Sequence, residues 1–164
     1  MASLILTVIG PDRPGLVHAL SETVAAHGGS WLESRMAHLA GQFAGIVRVE
    51  APETLIEHLH ALESQGLRIV VQGGADIVKD PGALLVLEVV GNDRPGIVRD
   101  ITLILSGHGV NIEELTTGVE SGSFSGEELF RVTARLHAPE DVLDAMRTGL
   151  EGLGNELMVD IRPA

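Results

Sequence analysis

The chain has 164 residues, with 23 acidic against 11 basic side chains, a formal net charge of −12, 2% aromatic residues and no tyrosine. Such a balance repels phosphate backbones and offers few rings for bases to stack on, which argues against direct nucleic-acid binding. The lack of cysteine removes disulfides, thiolate nucleophiles and cysteine-based zinc sites together.

No run approaches the roughly 18 apolar residues of a membrane span, and the N-terminus lacks the basic, apolar and small-residue order of a signal peptide. A cytoplasmic chain without membrane contact is expected.

Leu4 to Ile9 is a short, β-branched run bounded by Gly10-Pro11, which predicts a strand. Leu4, Leu6 and Val8 line its better core face. Ile5, Thr7 and Ile9 line the other, which is apolar except at its centre. The turn Gly10-Pro11-Asp12-Arg13-Pro14-Gly15 then opens a helix, with Asp12 placed to cap it and proline within its first turn. Leu16, Leu20 and Val24, with Val17, form one apolar stripe. The helix is expected to stop at Gly28, in a left-handed cap, after His27 at the negative helix end.

A second strand is predicted from Ser30 to about Ala40, and a third with Phe43, Val47 and Val49 inward against Arg48 and Glu50. After Ala51-Pro52 comes a second helix on Leu55, Ile56, Leu59 and Leu62, ending near Gly66, and a last strand from Leu67 to Gln72.

The same order is then written again. Gly91-Asn92-Asp93-Arg94-Pro95-Gly96 repeats the turn, and Gly10 to Gly91 and Gly28 to Gly109 share one spacing of 81 residues. Leu85, Leu87 and Val89 match the first core face; Val86, Glu88 and Val90 match the second. Ile97, Ile101 and Leu105, with Val98, repeat the helix stripe, and His108 precedes Gly109. The second strand should run from Asn111 to about Glu120. The third carries Phe130, Val132, Ala134 and Leu136 inward against Arg131, Thr133 and Arg135. Its Ala138-Pro139 end lies 87 residues beyond Ala51-Pro52, so residues were added between these strands, around Ser121 to Gly126. Val142, Leu143, Met146 and Leu150 mark the closing helix, ending near Gly154, and Glu156 to Ile161 the last strand.

A period this long implies two tandem copies of a small domain rather than a solenoid. The boundaries expected are 1–75 for the first domain, 76–83 for a linker containing Asp80-Pro81-Gly82, and 84–164 for the second. Each copy reads βαββαβ, an α+β, ferredoxin-like arrangement of a four-stranded antiparallel sheet with two helices on one face. The other face is uncovered within one domain. Ile5, Ile9, Val86 and Val90 would lie on it, and that face or a sheet edge is expected to join domain to domain.

The doubled Asp-Arg-Pro-Gly turn is the one constellation with a chemical mechanism. Backbone N–H groups at a helix start lack internal partners and lie at the positive dipole end, so a carboxylate can bind there. A nearby aspartate, Asp12 or Asp93, could accept from an ammonium group. Donors and acceptor side by side suit a free amino acid; the plain alternative is an ordinary helix cap.

Through this turn, the helix after it, and Gly28-Gly29-Ser30-Trp31 or Gly109-Val110-Asn111-Ile112 opening the second strand, each half resembles an ACT domain. The resemblance implies an amino-acid effector held between the first turn of one domain and the second-strand region of a neighbour. It implies ligand contacts from Asp12, Arg13, Pro14, Gly15 and Ser30 in copy one, and from Asn92, Asp93, Arg94, Pro95, Gly96, Asn111 and Ile112 in copy two. Asparagine at 111 rather than serine, as at Ser30, favours copy two.

Two such domains without a catalytic domain, with the run from Ser30 through Trp31, Glu33, Arg35 and His38 to Leu39, resemble the glycine cleavage system transcriptional repressor family. That likeness implies a non-enzymatic repressor or antiactivator, a glycine or serine effector, a LysR-type activator as protein partner, and a homodimer. No cofactor is expected.

Three other readings compete with this one. One is a ligand-free dimerisation or interaction subunit. Another is an acylphosphatase-like hydrolase using Arg13 or Arg94 with Asn111, a fold-level analogy. A metal site is disfavoured because His58 and His60 point to different helix faces, His27 and His108 are explained as helix ends, and His18, His38 and His137 have no counterparts in the other copy.

Overall fold

Alternation along the opening strand of each half decides which side of its sheet leaves water. In the computed structural model, which describes residues 1–75, 82–121, 126–154 and 156–164, the chain divides into units Met1–Val78 and Lys79–Ala164. The first unit runs β1 (Ala2–Pro11), α1 (Leu16–Ala26), β2 (Ser30–Leu39), β3 (Gln42–Ala51), α2 (Leu55–Ala61) and β4 (Arg68–Gly73). The second runs β5 (Ala83–Asn92), α3 (Ile97–Gly107), β6 (Asn111–Ser121), β7 (Glu128–Ala138), α4 (Leu143–Glu151) and β8 (Met158–Pro163).

Each unit holds one four-stranded antiparallel sheet, ordered β2-β3-β1-β4 or β6-β7-β5-β8. The opening strand is therefore interior, with a partner on both edges. Leu4, Leu6 and Val8 are buried with Leu16, Leu20 and Val24 of α1 and Leu55 and Leu59 of α2 in one core. Leu85, Leu87 and Val89 do the same with Ile97, Ile101 and Leu105 of α3 and Met146 and Leu150 of α4. Both helices thus cover the same sheet face, and each fully buried leucine contributes about 2–3 kcal/mol of transfer free energy.

Several local expectations change. Val17 lies exposed, because Leu16, Leu20 and Val24 already fill the core-facing side of α1. After Ala61 the chain tightens into a 3-10 turn over Leu62–Gln65 before Gly66 at φ 97°. In the second unit α4 closes at Gly152, short of Gly154. Both closing strands begin one or two residues later than expected, at Arg68 and Met158. The expected linker and added loop fall partly on 76–81 and 122–125, outside the described residues.

The helix C-termini follow the expected chemistry. Gly28 and Gly109 sit at φ 77° and 70°. His27 Nδ1–H donates to the Thr23 carbonyl oxygen at 2.8 Å, and His108 Nδ1–H to that of Ile104 at 2.8 Å. Each imidazole thereby serves the electronegative end of its helix. His58 stacks on His27 with ring centroids 3.7 Å apart, whereas His60 lies 3.3 Å from Glu63, so these two histidines do face apart. Among the described residues no three metal-ligating side chains gather, and no helix is long and apolar enough to cross a membrane.

The two bare sheet faces differ. In the first unit Thr7 pairs with Ile46 and Val70, each 57% exposed, and Ile9 is exposed beside them. In the second, Glu88 takes the place of Thr7 and is ion-paired to Arg131 and Arg162. The polar centre expected on each bare face is present in both, but Glu88 gathers arginines from β7 and β8, so the centre of the second face is ion-paired while Val90 and Met158 remain apolar beside it.

The β2–β3 hairpin turns on Ala40 and Gly41, both at positive φ, 49° and 81°. Two left-handed central residues match the strand twist of a two-residue hairpin, and alanine is a poor choice for the first. Ala40→Asn is expected to raise stability by about 0.5–1 kcal/mol in urea unfolding, because asparagine tolerates this conformation better.

Candidate ligand-binding turns

Where β1 ends, the ladder continues one step into the turn. Asp12 N–H donates to the Gly41 carbonyl oxygen at 3.0 Å, tying the turn to the tip of the neighbouring hairpin. The Asp12 carboxylate then lies 3.3 Å from His38 Nδ1, a residue of β2. Arg13 donates through Nη2 to the Gln65 carbonyl oxygen at the end of the 3-10 turn. Pro14 leads into Gly15, the residue that starts α1.

Gly15 adopts the left-handed conformation at φ 93°, and no side chain caps the helix. The expected aspartate cap is corrected here, and so is the expected first-turn proline: Asp12 and Pro14 both precede the helix. A chain leaving a strand must reverse sharply to lay its helix back over the sheet, and a left-handed glycine achieves this without Cβ strain. A Cβ placed on Gly15 would meet nothing within 4 Å, so the surface there is open.

The second turn is built alike with different partners. Asp93 N–H donates to the Glu128 carbonyl oxygen at 3.1 Å, and Asn92 donates to the Glu156 carboxylate. Gly96, at φ 81°, starts α3. Arg94 turns back onto the helix, its Nη1 2.9 Å from Asp100 Oδ2, while Arg99 Nε meets the other Asp100 oxygen at 3.2 Å. Beside the turn lies an open concavity of about 420 Å³ lined by Asn92, Asp93, Glu127 and Glu128. That lining favours the cationic end of a ligand and repels a second carboxylate.

Ser30 and Asn111, expected to share the site, are far from these turns within their own units. Ser30 pairs across Glu50 with Ser3, and Asn111 across His137 with Leu84, whereas the turns follow Pro11 and Asn92 at the opposite strand ends. At about 3.3 Å per residue the separation is roughly 30 Å. Neither unit can assemble both halves of the expected site from its own residues. Ile112 also packs partly buried against the core, where its side chain serves the fold.

The sequence profile of the ACT domain matches residues 2–72, and a second ACT domain profile matches residues 85–148. The chain belongs to the ACT domain family. It is also 26% identical over 142 residues to the glycine cleavage system transcriptional repressor of Escherichia coli strain K12, covering 83% of this chain and 75% of that protein. A crystal structure of an unknown protein from Galdieria sulphuraria is 32% identical, covers 99% of this chain and 98% of its own, and superposes with a TM-score of 0.87. A crystal structure assigned as a glycine cleavage system transcriptional repressor has a TM-score of 0.70 at 17% identity, covering 99% of this chain and 98% of its own, a likeness of fold.

Within the two ACT units, Asp100, Glu127 and Glu128 border the turns with no role expected from the sequence, and His38, considered above only for a metal site and in the family-like run, borders the first turn. His38 was readable in principle: a two-residue hairpin at Ala40-Gly41 sets it opposite Phe43, near the end of β1. Asp100 carried a weaker signal, four residues beyond the helix-starting glycine in copy two and replaced by Ala19 in copy one.

Asp100 is held below its ordinary carboxyl pKa chiefly by the Arg94 hydrogen bond, against some burial and with help from Arg99. A depressed folded-state value contributes stability above the unfolded pKa and loses it as pH falls through the folded one. Asp100→Asn is therefore expected to narrow the difference in Tm between pH 7 and about pH 3 relative to the parent chain, read by calorimetry.

Proposed function

We propose that this chain is a non-enzymatic, amino-acid-sensing regulator in the cytoplasm. In this reading its ACT domains, 1–75 and 84–164 joined by 76–83, hold a small amino acid, glycine or serine, within a homodimer. The opening turn of one domain and the second strand of a neighbour enclose the ligand. Occupancy then alters affinity for a protein partner, such as a LysR-type activator, with transcriptional repression or antiactivation as the output.

The observation that carries the reading is the doubled turn, an aspartate followed by a left-handed glycine that starts a helix, at Asp12–Gly15 and again at Asp93–Gly96. The roughly 30 Å between each turn and its own Ser30 or Asn111 supports a ligand shared between domains, because only a neighbour could bring the second half close. The relative named as a glycine cleavage system transcriptional repressor supports glycine as the first effector to test.

Copy two is the better candidate for an occupied site. Asp12 already has the His38 imidazole as a partner, whereas Asp93 opens onto the concavity with Asn92. Effector and partner would bias one equilibrium, so each would change the other's affinity by the same factor.

A second reading is a ligand-free dimerisation or interaction subunit. It draws on Arg94, whose guanidinium is committed to Asp100 and not to the concavity.

A thermal-shift panel of the common amino acids separates the two. Under the sensing reading glycine or serine raises Tm, with about 2.7 kcal/mol of stabilisation at one hundred times the dissociation constant. Asp93→Ala should abolish the response, and Asp12→Ala should leave most of it. A flat panel would support the ligand-free subunit.

A further inference from the structure

The face that the helices leave bare in the first unit has an apolar centre. Its middle row runs Arg35, Ile46, Thr7 and Val70 across β2, β3, β1 and β4. On one side of that row Ile9 stands next to Arg68, and on the other Ile5 stands between Arg48 and Gln72. Ile46 and Val70 are each 57% exposed and Ile9 is 46% exposed.

The second unit fills the same middle row with Thr116, Thr133, Glu88 and Asp160. The fold therefore accepts polar side chains at these positions and gains little from Ile46 and Val70 in water. Large apolar side chains gathered in the open mark a surface that leaves water on association.

Resting on the homodimer of the proposed function, we propose that this face binds the same face of a second copy of the chain, about a two-fold axis crossing the strands at the Ile46, Thr7 and Val70 row. Sheets stacked face to face keep their strands within about 30° of alignment, so such an axis lies either across the strands or along them. An axis across the strands sets Ile46 and Val70 against their own counterparts, Ile5 against Ile9 and Arg68 against Gln72, with Arg35 at the open β2 edge. An axis along the strands would lay Arg35 over Val70 and Arg48 over Ile5, burying charge on apolar surface. Self-complementarity selects the first.

The area is sufficient. Four strands of 6 to 10 residues, about 4.8 Å apart with a rise of about 3.3 Å per residue, give a footprint of about 500 Å² per copy. The pair then buries about 1,000 Å², the size at which an interface becomes specific. The bare face of the second unit is a poorer candidate, because Glu88, Arg131 and Arg162 would have to leave water together, and that desolvation can exceed the attraction within the pairs.

Strands of the two copies run in opposite senses across this axis. The turn after Pro11 in one copy thus comes to the sheet end that carries Ser30 in the other, a pairing that one unit alone does not provide.

The test is sedimentation equilibrium of the full chain without added amino acid, repeated on Val70→Asp, Thr7→Glu and Glu88→Thr. The parent is expected at twice the 17.3 kDa of one chain. Val70→Asp and Thr7→Glu install the residues that the second unit carries at these places, so both should keep the parent's circular dichroism spectrum. Each sets two carboxylates against one another across the axis and is expected to weaken the dimer at least about tenfold. Glu88→Thr should associate like the parent.

A monomeric parent would overturn the proposal. If Val70→Asp then lowered Tm, another part of the same chain would cover the face; an unchanged Tm would leave the face to a different protein. Undiminished association in Val70→Asp and Thr7→Glu, or a dimer lost in Glu88→Thr alone, would overturn it as well. Glycine or serine stabilising a monomer would leave the sensing reading standing without this interface. A dimer that dissociates in Val70→Asp, in a chain whose Tm no amino acid raises, would leave this interface standing without the sensing reading.

Discussion

Each unit depends on the burial of every second residue of its opening strand. Leu4, Leu6 and Val8, or Leu85, Leu87 and Val89, lie at the centre of a sheet with partners on both edges and helices over one face. Because the side-chain period of a strand is two, this commitment fixes the direction of all remaining positions on that strand. Thr7 and Glu88 are placed on the open face by their neighbours, not by any preference of their own. A one-residue slip would carry Glu88 into the apolar core, at a cost far above that of any surface contact.

The same constraint explains why the turns are shaped alike in both units. The strand must end, and the helix must return over the buried face within a few residues. Gly15 and Gly96 allow this by adopting left-handed conformations. The consequence for binding is that a helix start, with its unpaired N–H groups, lies at one end of the sheet, while Ser30 or Asn111 lies at the other. A ligand that needed both would not be held by one unit alone.

Duplication has kept the cores and let the surroundings diverge. Asp12 faces an imidazole from β2 where Asp93 faces an open acidic hollow. The bare face of the first unit carries Ile46 and Val70 in the open, and that of the second carries the Glu88, Arg131 and Arg162 cluster. Core positions tolerate few changes because packing is dense, whereas a solvated face can exchange apolar side chains for ion pairs at little cost in stability.

Much of the architecture was legible in the amino-acid order. The spacing of 81 residues, the two-residue alternation of both opening strands, the stripes Leu16-Leu20-Val24 and Ile97-Ile101-Leu105, and the stops at Gly28 and Gly109 determined two βαββαβ units and their cores. These features are local: each depends on residues within one or two turns of helix or a few strand steps. The neighbours of the turns were decided by tertiary structure. That Asp12 meets His38, that Arg94 turns onto Asp100, that Ser30 lies at the far end of the sheet from Asp12, and that Glu88 collects arginines from two other strands all depend on strand register, side-chain direction and packing. Those contacts arise only when distant segments are laid side by side, and a local periodicity carries no record of which side chains will then touch.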